Sequence, residues 1–409
     1  MISYDEARAI AKQVGQERGC KTEISALQDV VGRVCAESVK APLDIQPFDN
    51  SAMDGYAVCL RDFKSGGALL AKTGILAAGD PVPEESIPAG GCVEIMTGAP
   101  VPLGADAVIP VELAEAQGEN VVFKKRPEIG ENIRKAGEDF RKGADVLNAG
   151  ELIGPQHIMP LAALGIDKVK VYKKPRAVFL ATGSELVEDL SQDLKSGQIY
   201  NSNRPYGLAA LEAMGVECVG GATMPDDPDQ FAHFLKEIEV QGVDLIISSG
   251  AVSAGKYDFV REGLEKAGAE IFFHKVKIKP GKPNLFARLP NGLLYFGLPG
   301  NPVATATGLR FFVQPCVRKM LGMEEEKPVY AKSMTPFKKR AGLRIFLKAR
   351  TESWEDGLLT VDILEGQASF MVSPFLSMNC WATVSEDVEE IKAGDILELY
   401  SMYPHSGLI

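Results

Sequence analysis

The sequence has few histidines and no paired cysteines, and both scarcities exclude classes of site. The four histidines lie far apart, and the seven cysteines occur singly, without a Cys-x-x-Cys pair. Zinc sites and disulfide frameworks depend on such residues at close or regular spacing. An odd number of isolated thiols is typical of reduced cysteines in a reducing compartment. We therefore expect no zinc site, no histidine-based metal site and no disulfide bond.

Long apolar runs and an excess of basic residues are also missing. No segment approaches the roughly 20 apolar residues that a membrane helix requires. The N-terminus lacks the basic and apolar segments of a signal peptide. The formal net charge is -11, whereas proteins that bind nucleic acid are typically basic. We expect a cytoplasmic protein that binds neither membranes nor nucleic acid.

The 409 residues exceed what one hydrophobic core usually holds, so the chain should form several domains. Residues 4–18 predict a helix. Beyond Pro42, short β-prone runs are separated by Pro/Gly clusters, and this spacing predicts a small β domain. The clearest runs are Cys92–Met96, Ala107–Val111 and Asn120–Phe123. From about Pro328 onwards, strands and turns predict a second β domain.

Between Pro175 and about Gly322, strand and helix signals alternate. This alternation predicts parallel βαβ units in an α/β sandwich, whose ligands bind at the carboxyl ends of the strands. The predicted strands are Arg176–Ala181, Gly215–Gly220, Val243–Ser248, Ile271–Val276 and Leu293–Phe296. The predicted helices are Tyr206–Ala213, Pro228–Val240, Asp258–Ala267 and Pro302–Leu321. Asn301 is expected to cap the last helix, with Pro302 at its first position.

A glycine-rich loop, SSGAVSAG at residues 248–255, follows one of these strands. The backbone N–H groups of such a loop, with the helix that follows, can hold a phosphate. The same loop can also be a tight turn without a ligand. Asp258 can cap the next helix or hold a divalent cation against a phosphate. The residues by themselves leave both alternatives open.

A second loop, KIKPGKP at residues 277–283, places three lysines around a Pro-Gly pair. Charged runs are usually solvated turns. Here the prolines favour a different interpretation, because they fix the shape of the loop and lower the cost of a preformed anion site. Lysine binds oxyanions as a point charge. Molybdate, sulfate and phosphate all suit such a loop.

Seven segments in one order carry a resemblance over nearly the whole chain. They are DNSAMDGYA (49–57), GEDFRKG (137–143), ATGSEL (181–186), IYNSN (199–203), SSGAVS (248–253), KPGKP (279–283) and GLPGNP (297–302). In this order they resemble the molybdopterin molybdenumtransferases (MoeA), a family that includes the E domain of gephyrin. DNSAMDGYA is highly specific for the family, and KPGKP with PGNP nearly so. SSG-x-VS alone would also fit related adenylyltransferase domains.

The resemblance implies an elongated homodimer of four-domain subunits with a multidomain α/β plus β fold. A central molybdopterin-binding α/β sandwich with a mostly parallel sheet is expected beside a β-rich inserted domain and a C-terminal β-barrel-like domain. The N-terminal helical segment is expected to associate with the α/β domain. The expected units are residues 1–25 (helical segment), 26–44 with 142–174 (connection and dimerisation), 45–141 (β-rich), 175–325 (α/β) and 326–409 (C-terminal).

The resemblance also implies a reaction. Adenylylated molybdopterin and molybdate are the expected substrates, and AMP leaves together with the molybdenum-loaded cofactor in the final step of its synthesis. A divalent cation such as Mg²⁺ is expected to be required. The implied partners are a second subunit, whose β domain completes the cleft, and, transiently, the molybdopterin adenylyltransferase and the acceptor molybdoenzymes.

Individual residues receive roles from the same resemblance. The expected catalytic residues are acidic: Asp54, Asp139, Glu185 and Asp258, the first two contributed by the partner. The cation is expected at carboxylates, namely Glu185, Asp258 and one of Asp226 or Asp227. Molybdate is a dianion, so it is expected at Lys279, Lys282, Pro283 and Arg344. The pterin and pyrophosphate are expected at Thr182, Gly183, Ser249, Gly250, Ser253, Pro299, Gly300 and Asn301.

Three positions depart from the family pattern. Ala251 replaces the second glycine of S-S-G-G-V-S, a change that is harmless only if the backbone there has negative φ. Ala304 replaces the serine of G-N-P-V-S and removes a hydroxyl group. The usual G-R-x-x-F of the terminal domain reads Gly342-Leu343-Arg344-Ile345-Phe346, which shifts the arginine by one position. Of the assignments made above, these changes most affect that of the oxyanion site.

Two other functions compete with insertion of molybdenum. An adenylyltransferase of the preceding step would share the α/β domain, but both β domains favour insertion. A dimeric scaffold with a decayed site would resemble the receptor-binding role of gephyrin's E domain. The retained Asp54, Glu185, Asp258, Lys279 and Lys282 argue against decay.

Overall fold

The computed structural model describes residues 1–64, 66–239, 241–251, 259–353 and 357–403. In these ranges the helices are α1 (Tyr4–Arg18), α2 (Pro155–Ala163), α3 (Asn203–Ala213), α4 (Pro228–Glu239), α5 (Phe259–Lys266), α6 (Pro302–Gly308) and α7 (Gln314–Met320). Short 3₁₀ turns lie at Leu27–Asp29, Leu60–Asp62, Val111–Leu113 and Ser373–Leu376.

The strands of the N-terminal half are β1 (Thr22–Ala26), β2 (Val39–Lys40), β3 (Asn50–Ser51), β4 (Gly55–Val58), β5 (Ala68–Leu76), β6 (Gly91–Ile95), β7 (Ala107–Pro110), β8 (Ala114–Gln117), β9 (Asn120–Phe123), β10 (Ile133–Arg134), β11 (Asp145–Leu147) and β12 (Lys168–Tyr172). Those of the middle region are β13 (Arg176–Thr182), β14 (Leu186–Val187), β15 (Ile199–Tyr200), β16 (Glu217–Met224), β17 (Leu245–Ser249), β18 (Glu270–His274), β19 (Ile278–Lys279), β20 (Leu285–Arg288) and β21 (Leu294–Leu298). The C-terminal strands are β22 (Val329–Ser333), β23 (Phe337–Lys338), β24 (Arg344–Ser353), β25 (Leu359–Ile363), β26 (Cys380–Val384), β27 (Glu390–Ile391) and β28 (Ile396–Ser401).

The middle region forms a six-stranded sheet in the order β16-β13-β17-β21-β20-β18. The first four strands are parallel, and β20 and β18 extend the sheet through antiparallel pairs. Every residue of β17 and β21 is buried, as expected of parallel strands that are covered on both faces. The prediction of a mostly parallel sheet in an α/β sandwich is confirmed.

Alternate residues of the sheet face two separate cores. Phe179 of β13 and Ile247 of β17 pack with residues of α1, α3 and α7 on one face. Val178 and Ile246, one position earlier on each strand, pack with residues of α4 and α5 on the other face. The period of two along each strand therefore determines which helices cover which face.

The last helix of this region departs from the sequence prediction. One continuous helix over residues 302–321 was expected, but a π-helical turn at Leu309–Val313 separates α6 from α7. Pro315 has no N–H to donate to the carbonyl of Phe311, which explains the interruption. Inside the turn, the buried Arg310 forms an ion pair with Glu326 at 2.6 Å and donates to the Ser401 carbonyl at 2.9 Å.

Other differences from the predicted elements are smaller. Helix α3 begins at Asn203 rather than Tyr206, and β16 lies further along the chain than the predicted Gly215–Gly220. Strand β20 was not predicted, because periodicity alone does not separate it from the neighbouring loops. The predicted start of α5 at Asp258 lies outside the described residues.

The N-terminal half contains two smaller units. In the first, β1 pairs with β12 and β2 pairs with β11, and a core that includes Val30, Leu161 and Val171 joins them to α2. The second is a six-stranded sheet in the order β7-β4-β6-β5-β9-β8. Strand β4, between β7 and β6, follows the DNSAMD segment and is buried throughout.

The C-terminal strands close into a barrel. The order β24-β25-β22-β28-β26 returns to β24, because β26 also pairs with β24. Strand β19 of the middle region adds to β24 in parallel. Phe346 of β24 stacks on Phe311 of the π-helical turn with ring centroids 4.0 Å apart. The barrel and the α/β sandwich thus share both backbone pairing and an aromatic core, which fixes one against the other.

The structure also describes the state of the cysteines and the length of the helices. All seven cysteines are free thiols. Across the described ranges, no helix combines the length and apolarity needed to cross a membrane.

Gly55→Ala is expected to destabilise the protein by about 1–3 kcal/mol or more, because there is no room for a side chain. The new Cβ would lie 2.0 Å from the Ile109 carbonyl oxygen on the neighbouring strand β7. Gly74→Ala in β5 is the matched control, since no atom lies within 4 Å of its Cβ position. Urea unfolding followed by circular dichroism measures both. Equal shifts in the two variants would contradict the close approach of β4 and β7.

Candidate active site

A cleft of about 870 Å³ opens at the carboxyl ends of β13, β17 and β21. Residues at the ends of these strands form part of its wall, and the C-terminal barrel region contributes Leu343, Gln367, Ser369 and Phe370. Open parallel sheets bind ligands at this edge. The volume lies within the range of roughly 300–1,000 Å³ that is typical of small-molecule sites.

Most residues to which the sequence assigned a ligand line this cleft. They are Thr182, Gly183, Glu185, Asp226, Ser249, Gly250, Lys279, Lys282, Pro283, Pro299, Gly300 and Asn301. The fold therefore brings together segments that are far apart in the sequence.

The strand order separates the charges of the cleft. Asp226 follows β16 and Glu185 follows β13, at one end of the sheet edge. Lys279 and Lys282 precede β20, whose first residue pairs with Gly297 at the carboxyl end of β21. Three strand positions separate β13 from β20 in the sheet order, so the carboxylates and the lysines lie toward opposite ends of this edge. The cleft thus has an acidic end and a cationic end.

The acidic end holds two neighbouring carboxylates, Glu185 and Asp226. Burial raises the pKa of Asp226, and the nearby charge of Glu185 raises it further. Gly183 allows Glu185 to fold back over the backbone, since a Cβ at Gly183 would lie 2.8 Å from both carboxylate oxygens of Glu185. A divalent cation would relieve this repulsion.

Between the two ends, uncharged groups face the cleft. The Ser249 hydroxyl is buried and has no hydrogen-bond partner among the described residues. Asn301 occupies the expected cap position of α6, but its side chain makes no capping hydrogen bond. The Gly250 N–H donates to the Leu298 carbonyl at 3.0 Å, so it is not available to a phosphate. Side-chain groups, rather than this backbone N–H, are the donors that the cleft offers here.

The cationic end consists of the loop from Lys279 to Pro283. Both lysine side chains are exposed, whereas Pro280 and Gly281 between them are buried. None of the described residues forms an ion pair with either lysine. They are the only lysine or arginine side chains among the residues that line the described cleft. Two unpaired ammonium groups on a buried turn suit an oxyanion.

Two predicted ligands lie outside the cleft wall. Arg344 packs over the ring of Tyr4 and forms ion pairs with Asp5 and Glu386, both at 3.2 Å. Its place in the molybdate set is corrected: the shift by one position leaves Leu343 in the cleft and turns the arginine to these carboxylates. Asp227 accepts N–H bonds from Asp229 at 2.9 Å and Gln230 at 3.1 Å. These bonds cap α4, which leaves Asp226 as the carboxylate that lines the cleft.

The remaining predicted residues lie elsewhere or are not described. Asp54 and Asp139 belong to the N-terminal half, which contributes no residue to the cleft wall of the same described chain. Thr97 donates to Asp54 through its N–H at 2.6 Å and its hydroxyl at 2.7 Å, and these bonds lower the pKa of Asp54. Asp258 and Ser253 lie outside the described residues. Within the described ranges, no three His, Cys, Asp or Glu side chains form a metal-binding cluster.

Comparison with known proteins assigns the family. The MoeA N-terminal region (domain I and II) matches residues 2–165, a probable molybdopterin binding domain matches 178–319, and the MoeA C-terminal region (domain IV) matches 330–402. A molybdopterin molybdenumtransferase of Haemophilus influenzae is 36% identical, over 98% of each chain. The chain belongs to the MoeA family.

Further relatives agree with this assignment. A molybdopterin molybdenumtransferase of Synechococcus elongatus is 35% identical over 98% of this chain and 100% of its own. Two crystal structures of a molybdopterin biosynthesis MoeA protein from Pyrococcus horikoshii are each 28% identical, with TM-scores of 0.83 and 0.81. They cover 99% and 98% of this chain, and 100% and 99% of their own. The predicted multidomain MoeA fold is thereby confirmed.

The cleft of this MoeA-family chain contains residues that sequence reasoning did not single out. Tyr200, Asn201, Ser202 and Asn203 line it within the IYNSN segment. Gln367, Ser369 and Phe370 come from a loop between β25 and β26. The sequence marked the IYNSN segment as one of the family motifs, whereas the loop between β25 and β26 contains no recognisable motif.

A buried lysine holds the loop between β25 and β26. Lys348 of β24 is 1% exposed, and its ammonium group donates to the carbonyls of Gly366, Met371 and Ala368 at 2.5, 2.9 and 3.3 Å. Burial lowers the pKa of Lys348. The side chain of Gln367 also bonds both backbone groups of Lys348, at 3.0 and 2.8 Å. This anchor fixes the wall that carries Phe370, whose side chain is 70% exposed.

The departure at Ala251 has a structural cost. Its φ is +49°, in the left-handed region that favours glycine. The condition for a harmless replacement, a negative φ, is therefore not met. The other two departures, Ala304 and Leu343, both line the cleft and make that part of its wall apolar.

Ala251→Gly is expected to stabilise the protein by up to about 1 kcal/mol. An alanine in the left-handed region costs roughly 1–2 kcal/mol, and glycine removes this strain. Glycine also makes the unfolded chain more flexible, which lowers the free energy of unfolding by about 0.4–1 kcal/mol and offsets part of the gain. Ala304→Gly in α6 is the matched control and should destabilise by about 0.5–1 kcal/mol. Thermal unfolding measures both. A lower melting temperature for Ala251→Gly would contradict the strained backbone.

Proposed function

We propose that this chain is a molybdopterin molybdenumtransferase that takes adenylylated molybdopterin and molybdate and releases AMP with the molybdenum-loaded cofactor. The observation that carries the proposal is the separation of charge along the sheet edge. Glu185 and Asp226 follow β13 and β16, whereas Lys279 and Lys282 precede β20. A substrate with a pyrophosphate at one end and a metal-accepting group at the other needs two such regions.

The cationic end is the proposed molybdate site. Molybdate carries two negative charges, so carboxylates repel it and lysine ammonium groups attract it. Lys279 and Lys282 hold these charges at the two ends of a short turn, with Pro283 next to them. The apolar Ala304 and Leu343 lie in the same cleft and add no charge that would compete for the anion.

The acidic end is the proposed cation site. Glu185 and Asp226 would supply oxygen ligands, and burial together with the nearby charge of Glu185 raises the pKa of Asp226. Mg²⁺ is commonly bound by one or two carboxylates together with substrate phosphates, so this donor set fits it. The bound cation would neutralise charge on the pyrophosphate of the substrate.

The chain's own uncharged groups would orient the substrate between the two ends. The exposed side chain of Asn301, which does not cap α6, can bond a phosphate oxygen of the substrate, and Ser249 lies in the same cleft wall. Phe370 and Gln367 cover the cleft from the C-terminal side. By holding both reacting ends, the cleft converts an encounter of two substrates into a reaction within one complex.

Asp54 and Asp139 would reach the cleft from a second subunit. They belong to the N-terminal half, which lines no part of the described cleft in its own chain. The hydrogen bonds from Thr97 stabilise the ionised form of Asp54 and lower its pKa. A homodimer in which each β domain faces the partner's cleft would bring these carboxylates to the reaction. The substrate and product would then be exchanged with the adenylyltransferase and with acceptor molybdoenzymes.

The reaction itself provides the first test. Purified protein with Mg²⁺ should release AMP from adenylylated molybdopterin only when molybdate is present. Lys279→Ala should raise the KM for molybdate about tenfold or more, as expected for a charge-assisted contact, and leave the KM for the pterin substrate nearly unchanged. Lys277→Ala is the matched control, since Lys277 belongs to the same run but does not line the cleft.

Each alternative outcome has a definite meaning. Release of AMP that does not depend on molybdate would contradict the transferase. Formation of adenylylated pterin from ATP would identify an adenylyltransferase instead. Tight pterin binding without turnover would favour a scaffold.

Complementation between subunits tests the shared cleft. Asp54→Ala and Glu185→Ala homodimers should each be inactive. A heterodimer of the two, isolated through two different affinity tags, has one cleft in which both residues are intact, so it should recover about half of wild-type activity. An inactive heterodimer would show that Asp54 acts on the cleft of its own chain.

A further inference from the structure

Beneath the cationic loop lies a buried polar side chain with an incomplete set of partners. Asn284, directly after the KPGKP segment, is 1% exposed. Its Nδ2 donates to the Gly281 carbonyl. Its Oδ1 is buried and has no hydrogen-bond partner among the described residues. An unpartnered buried amide oxygen has lost its hydrogen bonds to water without replacement, which lowers stability.

The position of Asn284 connects the loop to α6. A Cβ at Gly308 would lie 2.8 Å from Asn284 Oδ1, so this oxygen packs against the backbone of the helix. A Cβ at Gly281 would lie 3.1 Å from Asn284 Nδ2 and 3.5 Å from the Ala304 carbonyl oxygen. The turn of the loop therefore rests on Asn284 on one side and on α6 on the other.

Backbone bonds close the same loop but leave its tip free. The Lys275 N–H donates to the Asn284 carbonyl at 2.9 Å, and the Val276 N–H donates to the Lys282 carbonyl at 2.8 Å. Gly281 lies between the two cleft lysines, with φ at +99°. Glycine is the residue with the least intrinsic conformational restriction. The bond from Asn284 is therefore the side-chain contact that fixes the backbone between Lys279 and Lys282.

We propose that Asn284 is a positioning residue for the oxyanion site: its amide fixes the Gly281 carbonyl and thereby the spacing of the Lys279 and Lys282 ammonium groups. This inference rests on the proposed function. An apolar side chain of similar volume would remove the unpartnered oxygen but would also leave the buried Gly281 carbonyl without its donor. These two effects on stability oppose each other, so stability alone does not explain an asparagine here. Preorganisation of the anion site does explain it, because a loop that is already fixed loses less conformational entropy when the anion binds.

Two substitutions separate positioning from folding. Asn284→Leu removes the donor together with the unpartnered acceptor, so it should raise the KM for molybdate about tenfold while the melting temperature changes little, because the two losses oppose each other. The KM for adenylylated molybdopterin should stay near the wild-type value. Hydrogen exchange of the Val276 amide should be faster in the variant, which reports on the loop without any turnover.

Asn284→Asp adds a readout that a structural role would not produce. An ionised carboxylate cannot donate to the Gly281 carbonyl, whereas a protonated one can. Burial raises the pKa of such a carboxyl group, so the defect should shrink as the pH falls from about 8.5 to 6. The defect is expressed as the ratio of the mutant KM to the wild-type KM at each pH. Groups that titrate in both proteins affect both values equally and cancel in this ratio. Asn291→Asp, in an exposed turn, is the matched control.

The outcomes distinguish this inference from the proposed function. A wild-type KM for molybdate in Asn284→Leu, or an equal rise of both KM values, would overturn the positioning role. A defect of Asn284→Asp that is the same at every pH would overturn it too. If wild-type protein shows no molybdate-dependent AMP release, the proposed function fails instead, and the exchange rate of Val276 still tests whether Asn284 holds the loop.

Discussion

The junction between the C-terminal barrel and the α/β sandwich is the constraint on which the cleft depends. Phe346 of β24 stacks on Phe311, and Tyr4 of α1 meets Phe346 edge-on with ring centroids 5.2 Å apart. On the same strand, residues Arg344 and Ile345 pair with Ile278 and Lys279. Because β19 is held by both units, the loop that follows it is directed to the sheet edge. Loss of this junction would separate the lysines from the rest of the site.

The sheet then determines how charge is distributed. Parallel strands place all their carboxyl ends on one edge, and the strand order decides which loops are neighbours there. The carboxylates follow β13 and β16, and the lysines precede β20 beyond β17 and β21. Like charges are thus grouped and unlike charges are kept apart. A cleft in which lysines paired with the carboxylates would leave neither group free for a cation or an oxyanion.

Several features of the cleft reduce stability rather than add to it. Asn284 and Ser249 each bury a polar atom that has no partner in the described part of the chain, and Ala251 has a left-handed backbone. Lys348 is buried without a carboxylate partner among the described residues and is bonded by carbonyl groups alone. Such costs of about 1–3 kcal/mol each are typical of functional sites, where the surrounding fold holds groups in place. They cluster at the sheet edge and in the barrel loop that covers it.

The sequence by itself determined the fold class, the family and most of the cleft residues. The alternation of strands and helices predicted the sheet, because burial on both faces produces apolar runs with a recognisable length. Motifs such as KPGKP and ATGSEL located Lys279, Lys282 and Glu185, because short loops carry their chemistry in consecutive residues. The sequence did not separate Asp226 from Asp227, since adjacent carboxylates look alike until one of them caps a helix.

Only the tertiary structure decided the contacts between distant segments. It turned Arg344 away from the cleft to Asp5 and Glu386, and it brought in Gln367 and Phe370 through the anchor at Lys348. It also placed Asn284 beneath the cationic loop and gave Ala251 a positive φ. These outcomes depend on which side chain meets which backbone group across more than one domain. Local periodicity and motif spacing do not predict such contacts, because the contacts arise from the packing of the whole chain.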